Sequence, residues 1–132
     1  SRKAVIHEDI INFKKGYKTI LGERGITLSG GQIQRVSIAR VFIKNPKIYL
    51  FDDCLSAVDN NTEEKILKNL KSISNNKTTI IVSHRISSLK HADQIIVFEN
   101  GKIVQQGKHI DLMGVTGYYK ELFEKQQADQ AK

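Results

Sequence analysis

Apolar positions recur along this chain on two different periods. Ile33, Val36, Ala39 and Ile43, with Arg40 in the same register, fall on helical spacing and predict a helix running to about Lys44. Asn45-Pro46 ends it, because proline removes a ladder donor and biases its predecessor away from helix. Residues 48–51, Ile-Tyr-Leu-Phe, form a short apolar run. It reads as a buried strand tipped by Asp52 and Asp53. Asp59-Asn60-Asn61-Thr62 then offers helix caps, and Glu63 and Glu64 charge the first turn that follows. Ile66, Leu67, Leu70 and Ile73 supply that helix with an apolar face. Residues 74–77 read as a loop, 78–82 as a β-rich buried strand and 86–91 as a short helix. Residues 95–99 and 103–105 read as antiparallel strands around Asn100-Gly101, a pair suited to a turn that needs positive φ. Residues 109–113 and 118–127 are terminal helices. Residues 1–29 are a helical, partly irregular opening punctuated by Tyr17, Gly22 and Gly25. The order strand, helix, strand, helix, strand predicts an α/β layered fold with an antiparallel edge.

The sharpest chemical signal lies at the start of the first long helix. Leu28-Ser29-Gly30-Gly31-Gln32 precedes Ile33-Gln34-Arg35. A helix start carries unpaired N–H groups and a partial positive charge. Glycine removes the Cβ atoms that would hold a phosphate away from that backbone, and Ser29 adds a hydroxyl. The result is an anion cradle. A plain Ser/Gly cap explains the Ser-Gly-Gly alone equally well; the whole pentapeptide is much more specific. Asp52, at the C-terminal end of its strand, lies where open α/β sheets place ligands. A carboxylate there can hold Mg²⁺ on a nucleotide, directly or through water.

Composition narrows the picture further. The 132 residues suit one domain with a modest core, and 39% hydrophobic with 27% charged residues suits a water-soluble globular domain. No apolar run approaches a membrane span. The single cysteine, Cys54, excludes an intrachain disulfide framework and reads as a small core residue. The net charge of +7 invites nucleic acid, but the lysines are scattered among acidic groups such as Glu63, Glu64, Glu121 and Glu124. A solvated basic surface explains that pattern better, and no nucleic-acid partner is expected. His7, His91 and His109 have no metal-ligand spacing with cysteine or carboxylate partners.

Residues 28–32 resemble the signature motif of ATP-binding cassette (ABC) ATPases. Residues 48–52 resemble the Walker B strand of that family, and Ser56-Ala57-Val58-Asp59 its D-loop. His84, after the apolar run at 79–82, resembles its switch histidine. Gly22-Glu23-Arg24-Gly25 is similar to the X-loop of ABC exporters. The motifs occur in the family's order over nearly the whole chain.

The resemblance implies a P-loop NTPase fold of the ABC ATPase type, C-terminal portion. Residues 1–29 would end the helical subdomain with the X-loop. Residues 30–132 would hold the signature helix, Walker B, D-loop, H-loop and the last part of a RecA-like core, closed by the hairpin. It implies ATP and Mg²⁺ as cofactors. Leu28, Ser29, Gly30, Gly31 and Gln32 would bind the ATP of a partner subunit, and Asp59 would contact that partner or cap its own helix. Asp52 would ligate Mg²⁺, while Asp53 and His84 would serve hydrolysis. Partners would be a second nucleotide-binding domain and a transmembrane domain, at the cytoplasmic face of the cell's inner membrane. The function would be ATP-driven export.

Two departures stand out. No G-x-x-x-x-G-K-[ST] sequence occurs, so the chain resembles a fragment that begins inside the helical subdomain and is inactive alone. Asp53 stands where the family usually has glutamate, whose carboxylate polarises the attacking water. Aspartate is one methylene shorter, which points to a slow site paired with a faster one in a heterodimer. A soluble chromosome-maintenance ATPase of the same superfamily is an alternative, but it would bring long coiled coils, and no sustained heptads occur. A non-catalytic remnant is another.

Overall fold

The computed structural model describes residues 1–22 and 25–130. They fall into two compact units, Ser1–Val82 and Ser83–Lys132. Glu23 and Arg24, the centre of the X-loop resemblance, lie outside the described residues.

The first unit opens with a 3-10 turn at Arg2–Ala4 and a short helix, α1 (His7–Ile11). After a further turn at Gly16–Lys18 comes α2 (Gly30–Lys44), then β1 (Ile48–Asp52), α3 (Asn60–Ile73) and β2 (Thr78–Val82). β1 and β2 pair in parallel, with Tyr49 opposite Thr79 and Phe51 opposite Ile81. Asn45 closes α2 in the left-handed region, which asparagine enters more readily than most side chains. The core gathers Ala4, Ile6, Ile38, Tyr49, Phe51, Leu55, Val58, Ile66 and Leu70. Tyr49 stacks on Phe51 at 6.0 Å between ring centroids.

Three burial readings change here. The inward residue of α2 is Ile38, whereas Ile33 and Ile43 point to solvent, Ile43 with 80% of its surface exposed. The strands at 48–52 and 78–82 are buried on one face only. Tyr49 and Phe51 face the core, while Ile48, Leu50, Ile80 and Val82 are exposed, Leu50 at 64%. Parallel sheets are ordinarily covered on both faces, and this one presents its second face bare. Glu63 is buried rather than solvated in the first turn of α3.

The second unit holds a 3-10 turn at Ile86–Ser88, shorter than the helix expected over 86–91. Next come the antiparallel hairpin β3 (Ile95–Glu99) and β4 (Lys102–Gly107), then α4 (His109–Met113) and α5 (Tyr118–Gln130). Asn100 and Gly101 both take positive φ, 48° and 75°, as the hairpin requires. A β-bulge between Val97 and Phe98 shifts the register. Ile86, Ile95, Val97, Leu112 and Tyr119 form this unit's core. Among the described residues, no helix is long and apolar enough to cross a membrane.

Candidate functional site

Ser29 caps α2. Its hydroxyl accepts from the Gln32 N–H at 3.2 Å, while the Gln32 side chain accepts from the Ser29 N–H at 3.0 Å, a reciprocal capping box. The cap and cradle readings of Ser29 are compatible, because a hydroxyl that accepts one bond still has its own proton to donate. Gly30 and Gly31 form the first turn, and Ser29 and Gly30 are exposed.

The glycines also have a packing role that the spacing did not announce. Positions for a Cβ on either residue lead toward the chain's own loop after β1. At Gly31 that atom would stand 2.7 Å from the Ala57 carbonyl oxygen, and at Gly30 it would meet the Ala57 Cβ at 3.5 Å. Gly31 therefore makes room for residues 56–58 behind the helix start.

Sequence reasoning missed what fixes this turn from the other side. Asp9, on α1, accepts from Gln32 Nε2 at 2.9 Å and from both terminal nitrogens of Arg35, at 2.8 and 3.2 Å. Arg35 also donates to the carbonyls of Gly31 and Val5. The only signal in the sequence was an arginine one turn beyond the glycines. Nothing in the spacing marked Asp9, 26 residues upstream, as its partner.

Burial pushes the Asp9 carboxyl up, but the hydrogen bonds from Gln32 and Arg35 and the guanidinium charge outweigh it. The net effect holds its pKa below the ordinary 3.8. A carboxyl with a lowered folded-state pKa stabilises the fold above the unfolded value, and that stability is lost as pH falls through the folded one. Asp9→Ala should cost about 1–2 kcal/mol at neutral pH, since it strands a half-buried guanidinium. Urea titrations at pH 7 and pH 3 check it. The gap between wild type and variant should narrow at the lower pH, and an unchanged gap would refute the assignment.

Asp52 ends β1 with its carboxylate exposed, and Asp53 follows in the left-handed region at φ 44°. The Asp53 N–H donates to the Val82 carbonyl at 2.9 Å, which ties the turn to β2. An exposed oxygen ligand at the carboxyl end of a parallel strand fits one corner of a Mg²⁺ shell, since that ion keeps waters and takes one or two carboxylates beside substrate phosphates. Among the described residues, no cluster of three or more His, Cys, Asp or Glu could hold a metal unaided.

Cys54 is half-buried, and burial first, then the charges of Asp53 and Asp52, push its thiol up to about 11. It stays protonated and inert at neutral pH. Asp59 caps α3 by accepting from the Thr62 N–H at 3.0 Å, and that bond holds its carboxyl below the usual value. It is exposed, so the capped carboxylate still faces solvent. His84 belongs to the second unit, where Gln126 Nε2 donates to its carbonyl at 2.6 Å and its ring is exposed. His7 and His109 engage Tyr17 and Tyr119 at 2.8 and 2.9 Å, so both have structural partners.

A helix opened by Ser-Gly-Gly, packed beside a parallel strand that ends in carboxylates, is the layout of a nucleotide-handling α/β ATPase. Residues 2–56 match the family described as ABC transporter. The chain is 50% identical over 129 residues to an uncharacterized ABC transporter ATP-binding protein, YknU, of Bacillus subtilis, covering 98% of this chain and 22% of that one. It is 46% identical over 131 residues to the multidrug resistance-like ATP-binding protein MdlA of Escherichia coli, covering 99% and 22%. The structure of a bacterial Atm1-family ABC exporter with ATP bound superimposes with a TM-score of 0.89 at 42% identity, over 96% of this chain and 22% of that one. The chain belongs to the ABC transporter family, with the fold of part of its ATPase domain. It spans about a fifth of the length of these relatives.

Proposed function

We propose that this chain is the signature-to-C-terminus part of the ATP-binding domain of an ABC exporter, and that it couples ATP binding and hydrolysis to export across a membrane. The observation that carries the reading is the exposed, capped Ser29-Gly30-Gly31 turn, braced from both sides by its own chain. A cradle built this rigidly and left open to solvent suits an anion delivered from outside, here the γ-phosphate of ATP held by a second nucleotide-binding domain.

In this reading residues 1–29 close the helical subdomain and 30–132 the ATPase core. Leu28, Ser29, Gly30, Gly31 and Gln32 serve the partner's nucleotide. Ser29 and the backbone N–H groups of the first turn bind phosphate oxygens, while the Gln32 side chain is spent on the cap and on Asp9. Asp59 meets the partner across the dimer. Asp52 would hold Mg²⁺, which supplies charge neutralisation on the phosphates when bound. Asp53 orients the attacking water and His84 contacts the γ-phosphate. A transmembrane domain of the same exporter completes the assembly, with the ATPase on the cytoplasmic side. The likeness to exporters with joined ATP-binding and permease parts supports this.

ATP turnover by the full-length protein in proteoliposomes tests the reading. It should require Mg²⁺ and should accompany accumulation of a transported compound. A full-length protein that hydrolyses no ATP would overturn it.

A further inference from the structure

We infer that Gln34 is a positioning residue that fastens the loop carrying Asp53 and Asp59 to the helix carrying the cradle, so that the two halves of this chain's chemistry move as one body. Its side-chain oxygen accepts from the Ala57 N–H at 3.0 Å, and its amide nitrogen donates to Ser56 Oγ at 3.1 Å. Ser56 Oγ in turn donates to the Asp53 carbonyl at 3.0 Å. A path of hydrogen bonds thus runs from α2, one turn past Gly30, to the backbone of the residue that follows β1. A primary amide serves both atoms at once, donating from its nitrogen and accepting at its oxygen.

The steric fit points the same way. The Ala57 carbonyl occupies the space a Gly31 side chain would need. The loop is therefore pressed against the cradle's first turn and clamped there one turn later. Asp53 sits in the sparsely populated left-handed region, so its backbone has an alternative conformation to relax into once the Ser56 link is lost. Removing the clamp frees the loop without touching the cap at Ser29 or any carboxylate. Turnover should suffer because Asp59, the proposed partner contact, loses its register with the cradle, whereas ATP binding should be spared.

This inference rests on the proposed ATPase reading for its kinetic consequence only. The test uses the full-length protein and reads two quantities. Hydrogen exchange of the peptide spanning residues 56–58 should quicken about ten-fold in Gln34→Ala, the scale of one lost hydrogen bond. In the same variant kcat for ATP should fall roughly ten-fold, with KM within about two-fold, as expected of a displacement well under 1 Å. Gln34→Glu keeps the acceptor for Ala57 and should restore most of the protection. Ser56→Ala, which removes the hydroxyl that links Gln34 Nε2 to the Asp53 carbonyl but keeps the Ala57 N–H bond to Gln34, should lower kcat in the same direction even if Gln34→Ala folds poorly. Unchanged exchange at 56–58 in Gln34→Ala would overturn the clamp. Quickened exchange with wild-type kcat would overturn its positioning role. A wild-type protein without ATP turnover would defeat the functional reading instead, leaving the exchange result to decide the clamp.

Discussion

Ser29→Arg is expected to abolish ATP turnover in the full-length protein, by more than about 100-fold, while Asp53→Ala leaves most of it intact. The asymmetry follows from where each residue acts. Ser29 lies in the exposed helix start proposed to serve the partner's nucleotide, and an arginine there would both remove the hydroxyl and fill the cradle. Asp53 would serve the nucleotide held beside this chain's Walker B strand by the rest of the same ATP-binding domain in the full-length protein. Its carboxylate ends roughly 1.5 Å short of where glutamate would place it, one carbon–carbon bond. A shortfall near 1 Å can cost on the order of 100-fold in rate. The chain's own site would then contribute little to the total, and the partner's site nearly all of it.

Asp53→Glu sharpens the test, because it should raise hydrolysis at the slow site by up to about 100-fold. The backbone opposes part of that gain. Asp53 holds φ 44°, a region aspartate enters several-fold more readily than most side chains. The longer residue therefore gains reach at the cost of a less favourable backbone. Site-resolved turnover, measured by trapping nucleotide on each half of the dimer, separates the two contributions. Should Asp53→Ala silence the transporter as completely as Ser29→Arg, the unequal-site account would fall, and with it the argument for a heterodimer.

What could be read in advance follows from how local each feature is. The helix over 30–44, the strands at 48–52 and 78–82 and the Asn100-Gly101 turn are set by neighbours within a few residues, and all appear where the pattern placed them. Burial is a tertiary property and was harder to read. The spacing of Ile33 and Ile43 was helical, but the face that turned inward is the one bearing Ile38. Apolar composition made β1 and β2 look buried, whereas Leu50 and Ile80 face outward, because α2 and α3 cover a single side. The candidate site divides the same way. Ser29, Asp52 and Asp59 were legible as caps and strand ends. Asp9 and Gln34 were not, since each reaches its partners across more than twenty residues of sequence, and an isolated Asp or Gln carries no periodic signal.

Gly30 and Gly31 look interchangeable in the sequence, yet alanine should separate them sharply. At Gly30 the new methyl would meet Ala57 Cβ at 3.5 Å, an ordinary contact. Alanine also restricts the unfolded chain, so Gly30→Ala should be neutral or stabilise by up to about 1 kcal/mol. At Gly31 the methyl would stand 2.7 Å from the Ala57 carbonyl oxygen, a backbone atom that cannot rotate away. Overpacking of this kind costs about 1–3 kcal/mol, and a helix-propensity gain of up to about 1 kcal/mol offsets only part of it. The strain has two routes of relief. Either the loop at 56–58 lifts, which stretches the Gln34 hydrogen bonds and shifts Asp59, or the first turn of α2 shifts, which moves Ser29. Both displace the cradle relative to the carboxylates, so turnover in the full-length protein should fall with stability in Gly31→Ala. Urea midpoints of the two variants, read beside their ATPase rates, decide the point. Equal midpoints would mean that Ala57 yields without cost, and the close approach at Gly31 would then be incidental to the site.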